Sequence, residues 1–381
     1  MKILTPRLRV QLDGMRSTVR PDEFQLDTDM LTESDMLTVS YPVTSELRGQ
    51  VGLDQGVKVW FDDRQVFTGR VADDTVQGGL LRIVARDNID RLLEESVPGT
   101  GFRLNKTLAT ALARLAGPWF ERIVFSNATD RNIRSGKARA RVAGEPVVTR
   151  SALRALGQYV DAGEARWGGI QKLLQTFRLL AWSSGDGRDL VVSRPNYKQT
   201  TLYRLFRGRA GSSVVSSSWA RSIAGRYSVV ELSGTQTAPG VPAPPVFTPP
   251  GVQRKKRVQH SSRGRVVDTS GDFRSSKRLF INDSSIYPSD AQSTAERIFG
   301  QQQARASRID VDVSGWGQGR AVYTFDRIAS VTLSEPTSPR SNAEASILRA
   351  APYYVTAVSY SARAESQSAR LSLVPAGTVL V

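Results

Sequence analysis

The chain has 381 residues, no cysteine and a single histidine, His260, which excludes disulfides, thiolate metal sites, cysteine nucleophiles and multi-histidine metal centres. Its 52 lysines and arginines against 36 acidic residues give a net charge of +16. That balance suits a polyanion or an acidic protein as partner, or an arginine-rich solvated surface with no partner at all.

The length fits roughly two to four domains, and an apolar content of 40% is enough for sizeable cores. Charge is unevenly spread: residues 1–100 carry 12 basic and 17 acidic side chains, whereas 101–381 carry 40 and 19. No apolar run approaches the roughly 20 residues needed to span a bilayer, and no basic amphipathic helix points to a membrane surface. Pro6, Arg7 and Arg9 interrupt the place where a secretory signal needs its apolar run. The expectation is a protein made and kept in a cytoplasm, or in a particle assembled there.

Near the N-terminus, Leu8, Val10 and Leu12 alternate with Arg7, Arg9 and Gln11, and Asp13-Gly14 signals a hairpin turn. Phe24 and Leu26, then Leu37, Val39 and Tyr41, mark two further strands. The organising stretch is 57–93. Val57, Val59 and Phe61 alternate with Lys58 and Trp60, Asp62-Asp63 turns the chain, 65–71 is extended again, and Gln77-Gly78-Gly79 precedes a third run at 80–84. After Asp87 the spacing of Ile89, Leu92 and Leu93 turns helical. Together this predicts an antiparallel, partly closed barrel ending in a short helix.

From Asn105 the pattern is mixed. Leu108, Ala111, Leu112 and Leu115 have helical spacing and Gly117-Pro118 ends it. A strand follows at 121–125, then a polar loop over 126–139. A second helix is predicted over 149–160, with Leu153, Leu156 and Tyr159 on one face, and a third on Ile170, Leu173, Leu174 and Phe177. Residues 179–193 read as a hairpin turning at Gly185-Asp186-Gly187. Strands return at 205–208, 214–219 and 226–232. The stretch 235–265, Pro-rich and then basic at Arg254, Lys255, Lys256 and Arg257, reads as a long exposed loop. A helix over 289–306 opens with Ser289 and Gln292 as a capping box. The remainder is strand: 309–313, 321–325, 328–333, 353–360 and 369–374.

Several candidate sites have simpler structural readings. Asp310, Asp312 and Gly315 resemble the opening of a calcium loop, but Ala321 stands where the bidentate Glu belongs, and Val311 and Val313 keep strand alternation. His260 beside Ser261 has no carboxylate to orient it. Asp62-Asp63 and Asp73-Asp74 could be paired acids of a glycosidase; both are predicted in turns, where Asp bonds its own backbone. Gly315–Gly319 lacks the Lys-Ser/Thr of a phosphate loop. Arg254, Lys255, Lys256 and Arg257 are the candidate contact with a partner or with DNA. Trp60, Trp182 and Trp219 are assigned to domain cores, and no predicted strand interleaves basic and aromatic residues as a single-strand nucleic-acid groove does. No catalytic residue, metal or cofactor is predicted.

Taken in order, Gly69-Arg70, then Ala85-Arg86-Asp87 with Asp90, Leu92, Leu93 and Ser96, resemble the baseplate hub proteins of contractile-tailed, Mu-like phages. So do Gly144-Glu145-Pro146, Trp182, Asp186-Gly187, Leu190-Val191-Val192, Arg194-Pro195, Ser233-Gly234, Val313-Ser314-Gly315-Trp316 and Leu371-Ser372-Leu373-Val374-Pro375. The stretch around 163–169 departs from the family's spacing. The architecture is similar to that of T-even phage hubs and of the N-terminal region of secretion-system spike proteins.

The resemblance implies an α+β, mainly β fold with two tail-tube-like barrels. The first barrel would occupy 1–103 and be completed by 309–381. An α/β domain would be inserted at 104–200, and a second β domain would span 201–308. The implied function is a structural homotrimer, not an enzyme, in the virion tail. It would join a sixfold tail tube, or tube-terminating protein, to a threefold central spike, touch other baseplate proteins and line the path of passing DNA. The alternatives are a tail-associated peptidoglycan hydrolase and a sequence-independent nucleic-acid binder.

Overall fold

The computed structural model describes residues 3–15, 21–98, 102–103, 108–126, 159–160, 162–177, 179–197, 199–207, 213–221, 226–237, 259–268, 277–283, 291–333, 351–363 and 366–376. The fold is α+β and mainly β. Its centre is a twelve-stranded sheet that curls into a half-barrel. The alternation that predicts the strands also aims their side chains: Val57, Val59 and Phe61 are buried, while Lys58 and Trp60 stay half-exposed on the other face.

Strand order runs Val214–Arg221, Ser307–Ser314, Ser366–Pro375, Ala351–Arg363, Glu23–Asp29, Met36–Pro42, Leu80–Asp87, Arg64–Gln77, Gly56–Phe61, Leu8–Leu12. Arg327–Leu333 also pairs with Ala351–Arg363 and carries Tyr203–Arg207 beside it in parallel. The last two long strands therefore continue the N-terminal sheet, with Tyr360 opposite Leu26 and Ala369 opposite Tyr360.

Trp316 locks this closure. Its ring stacks on Phe61 at 4.3 Å and meets Phe24 at 5.4 Å, and its indole N–H donates to the carbonyls of Ser361 and Ser368, both at 3.0 Å. One fully buried side chain thus holds strands from both ends of the sequence.

Within the same compact unit, helices Asn88–Glu94, Leu108–Ala116 and Arg166–Phe177 share a second core with the sheet formed by Arg122–Ser126, Asp189–Ser193 and Leu180–Ser183. Leu108, Ala111, Leu112 and Leu115 are buried, as their spacing demands. Another compact unit is built on Ala220–Arg308. There Val229–Thr237 lies between antiparallel Gln259–Val267 and parallel Arg278–Asp283. Val230 and Leu232 pack on Ala291 and Ala295 of helix Ala291–Ala306.

The structure departs from the sequence reading at several points. Asp73-Asp74 do not turn the chain: a bulge at Val71/Asp73 lets Arg64–Gln77 continue to a turn at Gly78-Gly79, both with positive φ. The loop expected over 235–265 is strand at both ends, because Val229–Thr237 and Gln259–Val267 complete each other's ladder and Glu231 pairs with Arg265 across it at 3.3 Å. The turn after Leu8–Leu12 forms, with Gly14 at φ +83, but that strand's partner is Gly56–Phe61.

Tyr159–Val160 is a short strand on Phe102–Arg103, whereas a helix end was expected; the rest of that helix, and Gly144-Glu145-Pro146, lie outside the described residues. Only Ala321–Val322 of the expected strand 321–325 is extended, since Tyr323 turns inward to be buried. Helix Ser45–Gln50, capped by the Thr44 hydroxyl at 3.1 Å from the Leu47 N–H, has too short an apolar stripe to be legible. The deeply buried tryptophans are Trp316 and Trp167. Trp60 and Trp182 are half-exposed, and the side chain of Trp219 lies outside the described residues.

Candidate assembly interface

The curled sheet and the helical layer meet at Asp87. This residue ends strand Leu80–Asp87 and caps helix Asn88–Glu94: Oδ1 accepts the Ile89 N–H at 3.1 Å and the Ser34 hydroxyl at 2.7 Å. Burial pushes its carboxyl up to about 7, against the bonds from Ser34 and Ile89, which favour the anion. Asp35 is likewise raised, first by burial and then by the charge of Asp87. The junction therefore holds two acids that resist ionising together.

A second contact joins the hairpin after Leu180–Ser183 to the barrel wall. The Thr68 hydroxyl donates to the Gly185 carbonyl at 3.1 Å, and the Asn88 amide donates to the Gly187 carbonyl at 2.9 Å. Gly187 has φ +70, and an added Cβ would lie 2.7 Å from the Thr68 Cβ, so this approach requires glycine. Beside it, Gln11, Lys58, Trp60, Gln65, Asp186 and Arg188 line a cleft of about 400 Å³. The Arg9 guanidinium sits 4.3 Å from the centroid of the Trp60 ring. Lys58 and Trp60 share one face of their strand, as their alternation with Val57, Val59 and Phe61 predicts, and Arg9 stacks on the Trp60 ring.

Strand edges are the remaining candidates, because an unpaired edge is a template for another chain. Two edges are blocked by glutamine side chains that imitate a neighbouring strand. Gln318 accepts from the Arg204 N–H and donates to the Arg204 carbonyl, both at 2.8 Å. Gln292 does the same to Arg265 at 2.9 and 3.3 Å. Its amide is thus engaged on a strand; the capping box expected with Ser289 lies outside the described residues.

Other edges stay open among the described residues. Beyond Val71 the strand Arg64–Gln77 has no neighbour on its outer side, and residues 72–77 are exposed on both faces. Arg278–Asp283 forms one border of its sheet, with Phe280 66% exposed.

Among the described residues, the sequence-predicted site residues do not converge. Arg254, Lys255, Lys256 and Arg257 lie outside the described residues. His260 is on a strand opposite Gln236, where an exposed loop was expected. Asp62 sits in the expected turn with a left-handed φ of +54, but its carboxylate accepts the N–H of Arg7, 55 residues away, at 2.8 Å and not that of its own turn. Asp73 and Asp74 sit on the open edge. Asp310 accepts from Ser372 at 2.7 Å and Asp312 from Arg370 at 2.7 Å, so both stay on the wet face of a strand whose Val311 and Val313 are buried. Sequence reading missed Val76 and Phe280 as surface features. The glycine pair after Gln77 is the signal for Val76: a hairpin with so tight a turn pairs residues equidistant from it.

No protein-family model and no curated protein matches this sequence. Solved structures do. The fold is similar to a tail protein from Neisseria meningitidis, with TM-score 0.69, 15% identity, and 99% of this chain and 98% of that one covered. A 43 kDa tail protein of prophage MuSo2 from Shewanella oneidensis gives 0.68 and 14%, with 98% and 99% covered. The prophage tail protein gp18 from Listeria monocytogenes gives 0.53 and 11%, with 96% and 94% covered. The chain has the fold of phage tail proteins over almost its whole length.

Proposed function

We propose that this chain is a structural baseplate hub of a phage tail: a trimeric adaptor between a sixfold tail tube and a threefold central spike, and part of the DNA conduit. The observation that carries this reading is the end-to-end match in fold with phage tail proteins, together with a sheet in which C-terminal strands complete the N-terminal one. In this reading 1–103 and 309–381 form one barrel, joined by strands Tyr203–Arg207 and Val214–Arg221; 104–200 is inserted into it, and the remainder of 201–308 contributes the second β domain. Each chain then presents two similar β surfaces, so three chains present six, and shape does the work that chemistry does in an enzyme.

Rigidity is what such an adaptor requires. The Trp316 cluster and the glutamine-blocked edges supply it, by fixing the barrel wall and by suppressing uncontrolled strand pairing. The basic excess beyond residue 100 suits an acidic tube or spike surface, or the DNA in the lumen. Co-expression with the neighbouring tube and spike proteins tests the reading: a hub holds both in one complex on size exclusion. Recovery of neither partner, or clearing of peptidoglycan by the purified chain, would remove the structural assignment.

A further inference from the structure

Two of the open edges are alike in length; one carries two acids and the other opens on a base. Residues 72–77 are Ala-Asp-Asp-Thr-Val-Gln, with Asp73 and Asp74 in no ion pair among the described residues and Val76 43% exposed. Arg278–Asp283 is Arg-Leu-Phe-Ile-Asn-Asp, with Arg278 exposed and Phe280 66% exposed. Long, unblocked edges of this kind invite pairing, and this chain blocks other edges with side-chain amides.

We propose that these edges pair between copies: residues 72–77 of one chain add, as a parallel strand, to Arg278–Asp283 of the next. The proposal rests on the trimeric reading above and names its contact.

Register selects the orientation. In the parallel alignment that brings Val76 beside Phe280, Asp74 falls beside Arg278, so one face gains an apolar contact and an ion pair together. The antiparallel alignment with Val76 beside Phe280 sets Asp73 against Asp283, two like charges. Pairing of 72–77 with its own copy crowds four aspartates, which disfavours a twofold contact through this edge. A head-to-tail contact between unlike edges closes into a ring when the rotation permits. Val214–Arg221 also borders its sheet, but its exposed Val215, Ser216 and Ser218 offer no charge to select a partner.

The absence of native cysteine makes the test clean. Val76→Cys and Phe280→Cys are made in separate full-length chains, mixed and oxidised mildly. The expected result is a mixed disulfide between the two variants, with neither forming a disulfide with itself. Asp74→Lys weakens assembly roughly tenfold or more, and adding Arg278→Glu restores it. A trimer that forms without the mixed disulfide overturns the edge pairing and leaves the hub reading standing. A Val76→Cys chain that cross-links to itself overturns the head-to-tail arrangement. If the unaltered chain makes no trimer, the reading beneath the proposal fails first.

Discussion

Replacing Asp87 with Asn isolates the acid at the junction of sheet and helix. Oδ1 of Asp87 accepts both the helix-capping N–H of Ile89 and the Ser34 hydroxyl, so an Asn oxygen keeps both bonds, and Asn caps helices about as well as Asp. What the substitution removes is a proton equilibrium. The carboxyl stands near 7 in the folded chain against an ordinary 3.8, because burial disfavours its charge.

A raised folded-state value means that the folded protein holds the proton more tightly than the unfolded one. The contribution is fully present below pH 4 and is lost as pH rises through 7. At 1.36 kcal/mol per pH unit, the loss across that window is roughly 4 kcal/mol, a large part of a typical 5–15 kcal/mol total. The assay is urea unfolding followed by tryptophan fluorescence at pH 4.5 to 8.5 and constant ionic strength. Wild type should lose stability relative to Asp87→Asn as pH rises, most steeply between 5 and 7. Freed from its neighbour's charge, Asp35 should titrate lower in the variant. Two pH profiles that run parallel would refute the assignment of a protonated, buried Asp87.

The other contacts make separable predictions. Trp316→Ala should cost roughly 3–5 kcal/mol in unfolding free energy by emptying the centre of the aromatic cluster; Trp316→Phe should cost less and expose the amides near Ser361 and Ser368 to faster hydrogen exchange. Gly187→Val should detach the hairpin from the barrel wall, read as loss of protection at Gly185 and Asn88, because its Cβ would meet Thr68 at 2.7 Å in a positive-φ backbone. Gln292→Ala should release the Arg265 edge and lower stability by about 0.5–1.5 kcal/mol, with the first change in exchange at Gln259–Val267. If that segment stays protected in the variant, the amide does not serve as a substitute strand.

Period-2 runs with a buried partner on each side were readable directly. Glu23–Asp29 and Leu80–Asp87 alternate strictly because their second face is partly wet, and Met36–Pro42 alternates until Val39, Ser40 and Tyr41 are buried in succession. Leu108–Ala116 was equally plain, since its apolar stripe faces a single core. The sequence failed where backbone pairing, and not side-chain pattern, decided the outcome. Asp73-Asp74 continue a strand because a bulge absorbs Ala72, and Gln259–Val267 extends through Ser261, Ser262 and Gly264 because Val229–Thr237 supplies its ladder. Gln292 matched a local capping signal, yet its amide bonds a strand 27 residues away, a contact no window of sequence contains. The candidate interface was least legible of all. An open edge is defined by the neighbour it lacks, and Val76 and Phe280 look like any other strand residue until strand order is known.

The central claim is that three copies of this chain form one body. Native mass measurement of the purified full-length protein, over a range of concentrations and salt, tests it most directly. The account predicts a three-chain species that persists on dilution; a single-chain mass at every concentration, alone and with tube and spike proteins present, would contradict it.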